Sequence, residues 1–176
     1  MTEIVLSESL LDIDPVEDIA KRKIQLLGVD VENVLTDYGN PEVLPGMANH
    51  LEEIALANSG LRIVLITNKM NKQFLSDVAS QLPSNPEYVN PASEPGLKKK
   101  PSPAMFNFVL QRQFPEVDPA AAAHIDDQFK AWFGAYRAGY GTFFWTKPTG
   151  EHQHKIVKAF RPVEFGIIRP LIKLTK

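Results

Sequence analysis

Apolar residues along this chain fall into two alternating patterns. Continuous short runs occupy Ile24–Val29, Arg62–Ile66, Ala121–Ile125 and Thr142–Trp145, and each reads as a strand buried on both faces. Glu87–Asn90 adds a short further strand. Between these runs the apolar positions recur at helical spacing. Met47, Leu51, Ile54 and Leu56 mark a helix over 46–58, and Phe74, Leu75, Val78 and Leu82 mark another over 71–82. Helices are also predicted over 103–114 and 128–138. Residues 15–23 read as a short helix with Asp14 as N-cap and Pro15 at the first helical position. Ser59-Gly60 and Gly139-Tyr140-Gly141 are stops. Residues 33–45 carry Gly39, Asn40, Pro41 and Pro45 and predict a loop with room for a small hairpin. Residues 91–103 predict a proline-broken loop bearing Lys98, Lys99 and Lys100. After residue 146 the expectation is a loop and a C-terminal helix interrupted at Pro170.

Strands alternating with helices predict βαβ units and one doubly wound, Rossmann-like parallel sheet of about five strands. The whole chain, 1–176, is expected to be one domain, with its core over about 10–146 and an extension over 147–176. In that α/β architecture the loops after the strands share one edge of the sheet. Asp30 and Glu32, Thr67 and Asn68, Lys100, and Asp126 and Asp127 all fall just after strands or in the loops that follow them. They are therefore expected to converge, although they are far apart along the chain.

Composition narrows the field. A length of 176 residues with 44% hydrophobic content is enough for one real core. The formal net charge of −2 gives no general attraction to nucleic acid, and none is expected as a partner. The absence of cysteine excludes disulfides and thiolate zinc sites. The N-terminus is acidic and lacks the basic start and long apolar stretch of a signal peptide. No apolar run approaches the roughly 18 residues of a membrane span. The expectation is a cytoplasmic protein, with peripheral membrane contact through the lysine run as a secondary one.

Clustered acids, one lysine and a Thr-Asn pair suit phosphoryl chemistry. Carboxylates can hold Mg²⁺, a hard cation that prefers oxygen, and one of them can attack phosphorus to form an acyl phosphate. A lysine and a hydroxyl can neutralise and orient phosphoryl oxygens, and a second acid can move the proton. The motifs Asp30-Val-Glu32-Asn-Val34, Thr67-Asn68, Lys100-Pro-Ser-Pro and Ile125-Asp126-Asp127-Gln128, in that order, resemble those of the haloacid dehalogenase-like superfamily of aspartyl-phosphate hydrolases. Leu10-Leu-Asp-Ile-Asp14, the Lys-Pro-x-Pro run and Ala138-Gly-Tyr-Gly141 are most similar to the YqeG-like branch (subfamily IIIA), related to phosphatidylglycerophosphate phosphatases.

The resemblance implies a phosphomonoester hydrolase using Mg²⁺ and acting on a small-molecule or lipid head-group phosphate. Asp30 would be nucleophile and metal ligand, and Glu32 would be the acid/base group with its carbonyl on the metal. Thr67 and the backbone of Asn68 would bind the phosphoryl group, and Lys100 would bridge phosphate and Asp30. Asp127 and Asp126 would complete the metal site, with Asp127 the better match to the usual distal ligand. Three positions depart from the family pattern: Glu32 for Asp, Val34 for Thr, and Trp132 where a second acid often lies. Glu32 and Val34 support a rival reading, a catalytically impaired relative with a binding or regulatory role. The intervals from Asp30 to Thr67 and from Thr67 to Lys100 leave no room for an inserted cap domain, which predicts an open site suited to a bulky substrate. His124, Trp132, Phe133 and Tyr136 read as packing residues, Lys98 and Lys99 as solvated charge, and His152 and His154 as loop.

Overall fold

The computed structural model describes residues 2–149. The expected C-terminal helix, His152 and His154 lie outside these residues. The strands are β1 (Glu3–Ser7), β2 (Leu26–Val29), β3 (Arg62–Ile66), β4 (Tyr88–Val89), β5 (Ala122–Asp126) and β6 (Thr142–Thr146). All pair in parallel, in the order β1-β6-β5-β2-β3-β4. The helices between them are α1 (Met47–Ala57), α2 (Lys72–Ser80), α3 (Ala104–Phe108, continued by a wider helical turn to Gln113) and α4 (Ala131–Arg137).

Alternation along each strand divides the core into two layers. Leu27, Val29, Leu65, Ile125 and Phe144 face one side, against Leu51 and Ile54 of α1 and Leu75 and Val78 of α2. Leu26, Val64, Ile66, Phe143 and Trp145 face the other, against Met105 and Phe106 of α3 and Ala131 and Ala135 of α4. Burial on both faces explains why these strands read as unbroken apolar runs. The first layer is closed by a helical turn over Pro15–Ala20, started as expected by Asp14, whose Oδ1 accepts from the backbone N–H groups of Val16 and Glu17 at 2.8 Å each.

One strand escaped the pattern. β1 lies at the sheet edge beside β6, with Ile4 opposite Phe143 and Val5 opposite Phe144. It is only partly buried and is bounded by Glu3 and Ser7, so it lacks the length and isolation of the central runs. The sheet therefore has six strands rather than about five.

Strand order reverses between β2 and β5. From β2 the chain proceeds outward through β3 and β4, then crosses back to β5 and β6 on the other side. The crevice beyond the C-terminal ends of these two strands is the topological switch point, where open α/β sheets place ligands. No inserted domain stands over it among the described residues. None of the described helices is long and apolar enough to cross a membrane.

Candidate active site

Asp30 is the first residue after β2, and its N–H donates to the Ile125 carbonyl of β5 at 2.9 Å. Asp126 ends β5 itself. Thr67 follows β3, with its N–H bound to the Val89 carbonyl at 3.0 Å. The long loop after β4 returns Lys100 to the same place. Asn68 holds it there: the Lys100 N–H donates to Asn68 Oδ1 at 2.7 Å, and Asn68 Nδ2 donates to the Lys100 carbonyl at 3.3 Å. The Lys100 ammonium then stands 3.0 Å from Asp30 Oδ1 and 2.5 Å from Asp126 Oδ2. Asp30, Asp126 and Asp127 each offer an oxygen within 4.8 Å of the others. One cleft is lined by Asp30, Glu32, Thr67, Asn68, Lys100 and Asp126. These expected residues share one cleft, and Asp127 is fully buried within ligand distance of Asp30 and Asp126.

Burial dominates the electrostatics. Asp30 is driven up to about 6 by burial, with Asp126 adding to the rise and Lys100 opposing it. Burial would also raise Asp126, but Lys100 and His124 outweigh it and hold that carboxyl below its ordinary value. Burial would lower Lys100, yet the two carboxylates keep it above its ordinary value. The lysine is therefore a permanent cation bound first to Asp126. His124 is held low by burial and lies against Asp126, Nε2 to Oδ2 at 3.2 Å, with Phe106 edge-on at 4.9 Å. Its packing role is as expected, and it also supports Asp126 from below. Gly28, opposite His124 on β2, is needed for this arrangement: a Cβ there would lie 2.9 Å from His124 Nδ1 and 2.7 Å from Ile66 Cδ1.

The donor set fits a hard divalent cation. Three buried carboxylates converge around the Lys100 ammonium, so a divalent cation would relieve part of their mutual repulsion. Asp126 has little capacity to spare. Its Oδ2 takes Lys100 and His124, and its Oδ1 accepts from the Gln128 N–H at 2.8 Å.

Glu32 lines the same cleft, but its carboxylate is taken by partners outside the acidic cluster. Its Oε1 accepts from Lys69 Nζ at 2.8 Å and from the Gly39 N–H at 3.0 Å. Lys69 in turn lies over the Phe74 ring at 4.2 Å and beside Tyr38 at 5.9 Å. Sequence reasoning missed Lys69. Its only signal was adjacency to Thr67-Asn68, because its partner lies 37 positions away. Val34 is fully buried in the first core layer, so the missing hydroxyl is replaced by packing. Trp132 stacks on Phe129 and Tyr136 and contributes no ligand.

No protein-family model matches the chain, and no curated protein matches it. Solved structures do. The core domain of a protein assigned as a phosphoglycolate phosphatase, from Streptococcus pneumoniae TIGR4, superposes with a TM-score of 0.50 at 20% identity, covering 80% of this chain and 96% of that one. CbbY from Rhodobacter sphaeroides, in complex with phosphate, superposes with a TM-score of 0.50 at 12% identity, covering 74% of this chain and 90% of that one. At such identities the likeness is one of fold alone: this chain shares the parallel-sheet α/β core of those two structures.

Proposed function

We propose that this protein is a Mg²⁺-dependent phosphomonoester hydrolase that works through an aspartyl-phosphate on Asp30. The observation that carries the reading is the Asp30–Lys100–Asp126 cluster, gathered from three separate stretches of chain at the switch point of the sheet, with Asp127 within ligand distance. Asp30 attacks phosphorus. Lys100 neutralises a phosphoryl oxygen while keeping Asp30 aligned, and Thr67 with the Asn68 N–H binds the remaining oxygens. Asp30, Asp127 and the Glu32 carbonyl would hold Mg²⁺, with Asp126 holding Lys100 in place beside them. When bound, Mg²⁺ supplies charge neutralisation for the phosphoryl group and the carboxylates. The open crevice suits a bulky substrate, and phosphatidylglycerophosphate is the specific candidate that the motif resemblance offers.

The test is hydrolysis of an aryl phosphate and of phosphatidylglycerophosphate, with Mg²⁺ and with a chelator, by the parent and by Asp30→Asn. The expected result is Mg²⁺-dependent turnover that falls at least about a thousandfold in Asp30→Asn. The Glu32–Lys69 pair favours one rival, a metal-binding relative with a regulatory role. No turnover in the parent together with a gain in Glu32→Asp would establish that rival.

A further inference from the structure

We propose that the wall of the cleft formed by the loop ending at Lys100 and by α4 is a contact surface for an anionic lipid bilayer. Charge is unevenly spread along the chain. The formal net charge is −2, yet residues 95–114 and 128–149 contain no Asp or Glu. These stretches supply α3 and α4, which pack on the second core layer. The helices of the first layer carry Glu17, Asp18, Glu52, Glu53 and Asp77. The sheet thus has acid-bearing helices on one face and acid-free helices on the other. Lys98, Lys99, Lys130 and Arg137 are exposed, and among the described residues none of the four is in an ion pair. Lys130 stands on the cleft wall. Lys98 and Lys99 lie just before Pro101, whose carbonyl closely approaches Gly134 of α4.

Helix α4 adds apolar area to that charge. Phe133 and Tyr136, expected to be packing residues, are 50% and 48% exposed. Lys130, Phe133, Tyr136 and Arg137 recur at spacings of three and four, so they share the outer face of the helix. Trp132 holds the two rings, 4.9 Å from Phe133 and 5.2 Å from Tyr136, and Phe129 ties the group to the core at Trp145, 5.0 Å away. Half-exposed aromatics beside unpaired cations suit a bilayer interface, where rings enter the headgroup layer and lysines meet lipid phosphates. The course of the chain points to the same occupant. The Thr149 N–H donates to the Asn33 carbonyl at 2.9 Å, and its Oγ1 donates to the Asn33 and Val34 carbonyls at 3.0 and 3.2 Å. Asn33 lines the cleft, so residues 150–176 start from its mouth. In sequence they hold six Lys/Arg against two Glu, interleaved with eleven Ala, Val, Ile, Leu and Phe. Single-stranded nucleic acid would engage those cations but not the apolar residues, whereas an anionic bilayer engages both. Trp132 is already stacked on Phe129 and Tyr136, which leaves the largest ring poorly placed to stack on a base.

Vesicle binding tests this without turnover, so its failure leaves the phosphatase reading standing. The full chain is sedimented with vesicles of phosphatidylcholine and of a phosphatidylcholine–phosphatidylserine mixture; phosphatidylserine brings charge but no phosphomonoester for the cleft. Binding to the mixture is expected to be at least about tenfold tighter and to weaken as salt rises. Lys98→Glu with Lys99→Glu, and separately Phe133→Ser with Tyr136→Ser, should each weaken it at least about fivefold, while Glu52→Gln with Glu53→Gln on the opposite face keeps it within about twofold. Brominated acyl chains in the mixture should also quench Trp132 in the unsubstituted chain, because the other tryptophan, Trp145, is fully buried. Should a double variant fail to fold, that quenching decides, and its absence overturns the proposal. Equal binding to both vesicles, no binding, or binding unchanged by both double substitutions overturns it as well. So does tighter binding to an oligo(dT) strand than to the mixture, which would make the surface one for nucleic acid.

Discussion

Ionising Asp30 places a carboxylate in a position where burial opposes charge, and its folded value of about 6 lies above the ordinary 3.8. A raised acid contributes its stability fully below 3.8 and loses it as pH rises through about 6. At pH 7.5 the metal-free protein therefore bears a cost on the order of 2 to 3 kcal/mol for holding its nucleophile ionised. Asp30→Asn is expected to melt higher than the parent at pH 7.5 in chelator, with the gap closing by about pH 4. Asp126 has the opposite sign: its lowered value contributes stability above 3.8 that is lost on acidification. Asp126 stays ionised in both folded proteins from about pH 4 to 7.5, so its own titration does not open or close the gap. Thermal midpoints at the two pH values decide the matter, and an Asp30→Asn that melts lower at pH 7.5 would refute it. At this scale the sequence was only partly legible. Asp30, Lys100 and the acidic pair announce themselves through residue type and place after a strand. Which acid takes the lysine is decided by burial and by His124, neither visible in the motif, and the capture of Glu32 by Lys69 depends on two loops from adjacent strands.

Elements carry these side chains, and besides Asn68 the contact of α4 with α3 constrains the Lys100 loop. Gly134 lies where the two meet: a Cβ there would stand 2.7 Å from Phe106 Cε2 and 2.9 Å from the Pro101 carbonyl oxygen. Backbone cannot yield as a side-chain tip can. Gly134→Ala should therefore push the turn that follows Lys100, costing about 1 to 3 kcal/mol in denaturant unfolding and lowering kcat as well. A variant with parental stability and rate would show that the loop is not held from α4. The central strands and four helices were readable because burial on both faces of the sheet, or on one face of a helix, leaves a strong periodic trace. β1 was not, because an edge strand of five residues with partial exposure leaves almost none. What assigns Glu3–Ser7 to the sheet is its pairing with β6, a contact 139 positions away.

Across the whole molecule, convergence of four motifs was legible for a topological reason. A parallel sheet with right-handed crossovers puts every strand's C-terminal end on one edge, so order along the chain was enough to predict assembly in space. The same topology leaves three carboxylates facing one another around one lysine, and this makes metal binding measurable apart from turnover. A ligand bound only by the folded state stabilises it by about 2.7 kcal/mol at a hundred times its Kd. For a domain of this size that is a rise of roughly 5 to 10 °C in melting temperature. Mg²⁺ is expected to produce a rise of this kind that saturates with concentration. Asp127→Asn should abolish most of it, because Asp126 is already committed to Lys100, His124 and the Gln128 N–H. Asp126→Asn should act differently: it frees Lys100 as well as removing a charge, so the metal-free protein itself should lose stability. If Asp126→Asn abolishes the Mg²⁺ response while Asp127→Asn preserves it, the two acids have exchanged roles, and Lys100 must then release Asp126 whenever the metal binds.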